Sequence, residues 1–355
     1  MNLEKAWQNW QKIPAMQKIF MVQNLAVMIK VGISLSEALK TLALQSTSKK
    51  LANILVDLQQ KVEKGNELGK SLEIYQKDFG ELFVNMVKAG EASGKLEDVL
   101  NQLYIQMKKD HEISSKIKGA MIYPIIVVTT MLVVGVLMMI YVIPSLTVVF
   151  KEVDVELPLA TRILINTSDF MAANTLWLGL AGLVLVVAII KFFSTETGKF
   201  WLSKFTVYAP IISPVAKKIN LARFSRTLSS LLKTDIAIIQ TLQITSQVIT
   251  NRLYRQALLE AAEKVKKGVR LAEIFNDYPR LFPPLIIQMI TVGEETGAID
   301  DILDKIANYY EEDVTQTMNT LPSIIEPVLM VVLGVAVAGM AVAVIMPMYT
   351  LTETM

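Results

Sequence analysis

The chain has 355 residues, 52% hydrophobic and 19% charged, with a formal net charge of +2. A mean hydropathy of +0.43 excludes an ordinary soluble domain, and the charge content excludes a wholly embedded one, so soluble and membrane parts are expected in one chain. The absence of cysteine excludes a disulfide framework and any thiolate metal site.

Residues 1–15 read as an amphipathic N-terminal segment with Leu3, Trp7 and Trp10 on one helical face. Glu4, Lys5, Lys12 and Pro14 interrupt any apolar core, so no signal peptide is expected there. Residues 16–118 are patterned as helices throughout. Leu25, Met28 and Ile29 share a face, Gly32 breaks the run, and Ser34 with Glu37 has capping-box spacing for a helix burying Leu35, Leu39 and Leu42. Leu51, Leu55, Leu58 and Val62 hold the next face until Gly65. Phe79, Leu82, Phe83, Met86 and Val87 build another, and Leu96, Val99, Leu100, Leu103 and Met107 a last one. Short connections and no period-two alternation predict an antiparallel helical bundle.

Three windows lack charge and exceed the roughly 20 residues that a helix needs to cross a bilayer: 119–150, 170–190 and 327–352. The expected order is transmembrane helix 1 at 119–146, a loop at 147–169, helix 2 at 170–191, a second bundle at 192–322, helix 3 at 323–349 and a tail at 350–355. Lys108, Lys109, Lys116 and Lys118 precede the first span. Lys191, Lys199, Lys204, Lys217, Lys218, Arg223 and Arg226 follow the second, and the loop between carries Lys151, Glu152, Asp154, Glu156, Arg162 and Asp169. The positive-inside rule then puts the N-terminus and both bundles in the cytoplasm, with the loop and tail periplasmic.

The second bundle repeats the first. Adding 203 to a position carries Val62, Lys64 and Gly65 onto Val265, Lys267 and Gly268, Phe79 onto Phe282, Pro124 onto Pro327 and Pro144 onto Pro347, without a gap. Expected helices run over 223–233, 236–248, 252–267, 271–277, 283–294 and from 299 onward. Asp235 replaces Gly32 and no Ser-x-x-Glu box follows, so the first turn of this copy is expected to differ.

Gly90-Glu91-Ala92-Ser93-Gly94-Lys95 is one residue too short between its glycines for a phosphate loop, and its counterpart Gly293 to Ala298 has no lysine. Both read as structural turns at Gly90, Glu91, Gly94, Gly293, Glu294 and Gly297, with Ser93 or Thr296 capping the next helix. Glu91 and Glu294 recur at the same step, which makes them weak candidates for a divalent cation. His111-Glu112 is no zinc-protease motif, since the chain has a single histidine. No nucleophile-base arrangement is visible; the expectation is no enzyme, no cofactor and no nucleic-acid partner. The spans lack ionisable groups except Glu326 at the entrance of the third, and so read as anchors. Gly334, Ala338, Gly339 and Ala343 give small-xxx-small spacings for helix packing, and Pro124, Pro144, Pro327 and Pro347 are expected to kink or end their helices.

The segments Val31 to Leu39, Gly90 to Leu96, Gly293 to Ile299, Lys116 to Pro124 and Ala222 to Leu228 resemble the general secretory pathway protein F family, the inner-membrane platform proteins of type IV pili and type II secretion. The resemblance begins at about residue 16, with a shortened N-terminal extension. It implies an all-α, non-catalytic multi-pass platform in the bacterial inner membrane, with two homologous cytoplasmic bundles and three transmembrane helices. Its implied partners are a cytoplasmic hexameric ATPase, the transmembrane helices of pilins or pseudopilins, other inner-membrane assembly components and further copies of itself in a homo-oligomer. An oligomeric transporter or channel, or a membrane-bound adaptor, is the alternative reading from composition and repeats. The second span is absent from the repeat and returns the chain to the first side before the second copy begins.

Overall fold

The computed structural model describes residues 12–145, 159–209 and 212–354. The face formed by Leu3, Trp7 and Trp10 lies outside the described residues, as do Lys151, Glu152, Asp154 and Glu156. Contacts divide the chain into two units, residues 1–115 with 200–315 and residues 116–199 with 316–355. Every regular element among the described residues is helical.

The first unit holds both bundles. The first comprises α1 (Ala15–Lys30), α2 (Leu35–Gln45), α3 (Lys49–Glu63), α4 (Leu68–Leu72), α5 (Gln76–Phe79), α6 (Glu81–Ala92) and the beginning of α7 (Leu96–Leu137). Ser34 caps α2, its hydroxyl accepting from the Glu37 amide at 3.3 Å, and Ser48 caps α3 through the Leu51 amide at 3.4 Å. The inward faces are those the periodicity marks. Leu39, Leu42, Leu55, Leu58, Leu100 and Leu103 are at most 3% exposed, and each such leucine stabilises the fold by about 1.5–3 kcal/mol.

Two intervening helices, α8 (Leu159–Ala173) and α9 (Thr175–Ser194), belong to the second unit. The second bundle then follows α10 (Glu196–Tyr208) with α11 (Ser213–Leu232), α12 (Ile238–Val248), α13 (Arg252–Lys266), α14 (Leu271–Asn276), α15 (Pro284–Thr296) and the beginning of α16 (Ile299–Thr354). Helix α11 starts ten residues before the expected position, with Pro214 in its first turn. The core has the layout of the first copy but an aromatic filling. Phe224, Phe275 and Tyr254 stand where the first copy has Met21, Leu72 and Leu51, around Phe282 at the position of Phe79, and Phe275 stacks on Phe282 at 4.1 Å. Burial pushes up the pKa of Tyr254, whose hydroxyl donates to the Leu281 carbonyl at 2.8 Å.

The bundles share a core. Leu231, Ile236 and Ile244 of the second copy complete the hydrophobic cluster of the first, and α12 lies along α6.

Asp235 corrects one expectation. Its φ of 59° places it in the same left-handed region as Gly32 at 84°, so the turn keeps its form. Aspartate is among the few side chains that tolerate this region.

The second unit contains the apolar parts of α7 and α16 together with α8 and α9. Among the described residues three helices are long and apolar enough to cross a membrane, within Leu96–Ser145, Thr175–Ser194 and Ile299–Ala343. The expected second span begins too early, because the helix breaks at Asn174. Residues 159–169, expected as loop, are helical in α8.

Candidate functional site

The two glycine turns share a left-handed glycine, Gly94 and Gly297 at φ 70° and 71°. In the first copy Gly94 takes φ 70° and the Lys95 amide donates to the Gly90 carbonyl at 2.8 Å, the closing bond of a Schellman turn. Gly90 lets the neighbouring helix approach: a methyl there would lie 2.7 Å from Val99 Cγ2. At Gly293 the corresponding methyl would lie 3.0 Å from Ile299 Cα.

Each oxygen of the Glu91 carboxylate accepts a backbone amide at 2.7 Å, from Leu68 and from Gly69 at the start of α4. Glu294 does the same for Leu271 and Ala272 at 2.6 and 3.0 Å. A carboxylate against free helix-start amides satisfies donors that would otherwise be orphaned, and its charge suits that end of the helix. The repetition of Glu91 and Glu294 is therefore explained by packing one helix start per copy. Among the described residues no group of three or more metal-type ligands gathers. Ser93 and Thr296 do not cap the following helices; their hydroxyls donate backwards to Ala89 and Val292 carbonyls at 2.8 Å each.

A second cluster repeats between the copies. Tyr75 donates to Asp57 at 2.8 Å while Lys61 pairs with the same carboxylate at 2.5 Å. Tyr278, Glu260 and Lys264 stand at the same positions plus 203, with Tyr278 donating to Glu260 and Lys264 bridging Glu260 and Asp277 at 3.0 Å each. Burial and the acidic acceptor push both tyrosines up to about 12. The offset rule applied to these three positions was the signal available.

The strongest buried charge belongs to the second copy alone. Arg226 makes a two-pronged contact with Glu311, Nε to Oε1 at 2.7 Å and Nη2 to Oε2 at 2.9 Å, and also bonds Asn308 and Asp304. Burial alone would lower its pKa, but the facing Glu311 and Asp304 carboxylates raise it. The counterpart of Arg226 is Gln23, which is exposed.

In the second unit an apolar groove of about 840 Å³ opens between the spans, lined among others by Tyr123, Met131, Met171, Glu326, Leu329 and Met340. The outer faces are bare apolar surface: Leu132, Leu176, Leu183 and Val331 are all at least 64% exposed. Such helices belong in lipid. A methyl added at Gly334 or Gly339 would meet nothing within 4 Å, so among the described residues neither packs against a helix of this chain. Ala343 is buried, and its carbonyl accepts from Thr161 at 2.8 Å. The proline expectations divide: α7 runs through Pro124 and α16 through Pro327 and Pro347, so none of these ends its helix. Two residues before Pro144, the backbone widens into a π segment at Met138–Val142. Such a widening accommodates a proline ring and its missing N–H, and the Met139 carbonyl accepts from Ser168 at 2.5 Å.

Two packed copies of a helical bundle, each running into an apolar span, with an extra span between them, define a duplicated helical membrane protein. The family model for type II secretion system (T2SS), protein F matches residues 21–144 and again 224–347, at the same 203-residue offset, and the chain belongs to that family. It is 33% identical over 332 residues to the type IV pilus assembly protein PilC of Myxococcus xanthus, covering 93% of this chain and 79% of that protein. It is 33% identical over 333 residues to the protein of the same name from Thermus thermophilus, covering 94% and 82%. The type II secretion system protein F of Vibrio cholerae is 30% identical over 334 residues, covering 94% and 82%.

Proposed function

We propose that this chain is the inner-membrane platform of a type IV pilus or type II secretion machine. In this reading it is non-catalytic, and it couples a cytoplasmic hexameric ATPase to extraction and polymerisation of pilin or pseudopilin subunits. The observation that carries the reading is the shared core of the two bundles. The burial of Leu231, Ile236 and Ile244 against the first bundle supports both bundles lying on one face of the membrane, and the extra span Thr175–Ser194 would supply the second crossing this requires. The lysines and arginines flanking the spans favour the cytoplasmic face. A motor pressing on either bundle would load the other through that core, so force would reach α7 and α16 together.

The groove beside Glu326 suits the other half of the task. Its apolar walls fit a subunit anchor helix leaving the bilayer, without an ionised barrier at mid-depth. Photo-crosslinkers placed in both bundles in cells are expected to trap the assembly ATPase. Failure from either bundle, with pili or secretion intact after deletion of the chain, would contradict the reading.

A further inference from the structure

The duplication gives every residue of the interface between the bundles a counterpart in the other copy. At that interface the first bundle contributes α6 and α7, the second α11, α12 and α16. Gln106 bonds Thr227 and Ser230 at 3.2 and 3.3 Å, Asp110 pairs with Arg223 at 2.9 Å, and Lys109 reaches Glu311 at 3.4 Å.

Each copy owns both of these faces, and within one chain only one of each is covered. On α1 and the turn after it, Phe20, Val27 and Val31 stand where Arg223, Ser230 and Thr234 stand in the second copy. Val27 is 54% exposed against 2% for Ser230, and Val31 68% against 6% for Thr234. At the other end, Leu285, Val292 and Tyr309 occupy the positions of Leu82, Ala89 and Gln106. They are 48%, 50% and 55% exposed, where Leu82 and Ala89 are packed on the core and Gln106 is buried. Contiguous exposed apolar residues of this kind outside a span mark an interaction surface.

Charge identifies the occupant. The positions equivalent to Lys109 and Glu311 are Glu312 and Lys108, both exposed: the signs are exchanged, yet the pair remains opposite. The Lys95 and Asp235 pair maps onto Ala298 and Gly32, which introduce no charge. Asp110 and Arg223 map onto Asp313 and Phe20, and Asp313 already has Lys218 at 2.7 Å in its own copy.

We propose that a second copy of this chain docks head to tail on these faces and repeats the interface between the bundles. Helices α15 and α16 of one chain pack on α1 of the next, seating Leu285, Val292 and Tyr309 against Phe20, Val27 and Val31, with Glu312 of one chain facing Lys108 of the other. The contact is heterologous, so successive chains add in the same sense, closing a ring where the rotation between them permits. Each bundle ends in a helix that continues into an apolar run, α7 and α16, which keeps every added chain anchored in the same bilayer.

The chain has no cysteine, so introduced pairs report alone. Two differently tagged full-length chains, one Val27→Cys and one Tyr309→Cys, are co-expressed in membranes and oxidised. Gln106→Cys with Ser230→Cys in one chain serves as the internal control for oxidation. The expected result is a mixed-tag dimer from the co-expressed pair and none from either variant alone. Adding Lys108→Glu to the Val27→Cys chain should lower the yield roughly two- to fivefold, and adding Glu312→Lys to the other chain should restore it. Self-crosslinking of Val27→Cys, no mixed dimer while the control oxidises, or a yield indifferent to charge reversal would each overturn the proposal.

Discussion

The guanidinium of Arg226 and the carboxylate of Glu311 face each other in two parallel bonds of 2.7 and 2.9 Å, with side chains only 7% and 8% exposed. Removing Glu311 takes away the two-pronged partner and leaves Asp304 as the remaining counterion of the buried guanidinium. Glu311→Ala is therefore expected to cost about 2–3 kcal/mol, below the loss for a buried charge left wholly unpaired. Replacing both with well-packed apolar residues should cost markedly less. Chemical denaturation of the solubilised chain, monitored by helix content, compares the two variants.

Alkali should find the repeated tyrosines. Burial, followed by the bonds to Asp57 and Glu260, lifts Tyr75 and Tyr278 from 10.0 to about 12. A raised folded-state value means the folded chain keeps a proton that the unfolded chain has lost. This stabilisation is complete below pH 10 and disappears as pH rises towards 12. Ultraviolet titration of Tyr75→Phe and Tyr278→Phe should each remove one late-titrating phenol.

Two glycines should respond oppositely to the same methyl. Gly90→Ala places Cβ 2.7 Å from Val99 Cγ2 and should destabilise the first bundle by about 1–3 kcal/mol. Gly334→Ala meets nothing within 4 Å and should leave the unfolding midpoint unchanged. A loss of assembly in Gly334→Ala without loss of stability would then point to a helix from another subunit at that face.

At the left-handed turn of the second copy, Asp235→Gly should be neutral or slightly stabilising. Asp235→Ala should cost about 1 kcal/mol, since alanine at φ 59° is strained. The ion pair from Lys95 is solvent-exposed and contributes little to either result. Unfolding midpoints of the two variants measure the difference directly.

Much of this architecture was legible from local periodicity. The faces of Leu39, Leu55 and Leu100 repeat at helical spacing, and the capping serine at Ser34 acts within three residues, so pattern and chemistry coincide. The expectation at Asp235 fails because the left-handed conformation does not require glycine: aspartate holds it at φ 59°. Other features depend on distance along the chain. Arg226 meets Glu311 85 residues away, and nothing local to either marks the other. The roles of Glu91 and Glu294 were equally hidden: a recurring carboxylate suggests a ligand until the amides it serves, 22 and 23 residues earlier, are seen beside it. Helix α8 was missed because the polar residues around Arg162 and Asp169 resemble a loop in composition.

The claim on which the account turns is that the duplicated bundles lie together on the cytoplasmic face. Leu44→Cys in the first bundle and Leu259→Cys in the second replace exposed side chains in a chain without native cysteine. A membrane-impermeant maleimide should label neither in intact spheroplasts and both after permeabilisation. Labelling of either bundle from outside intact spheroplasts would contradict the account.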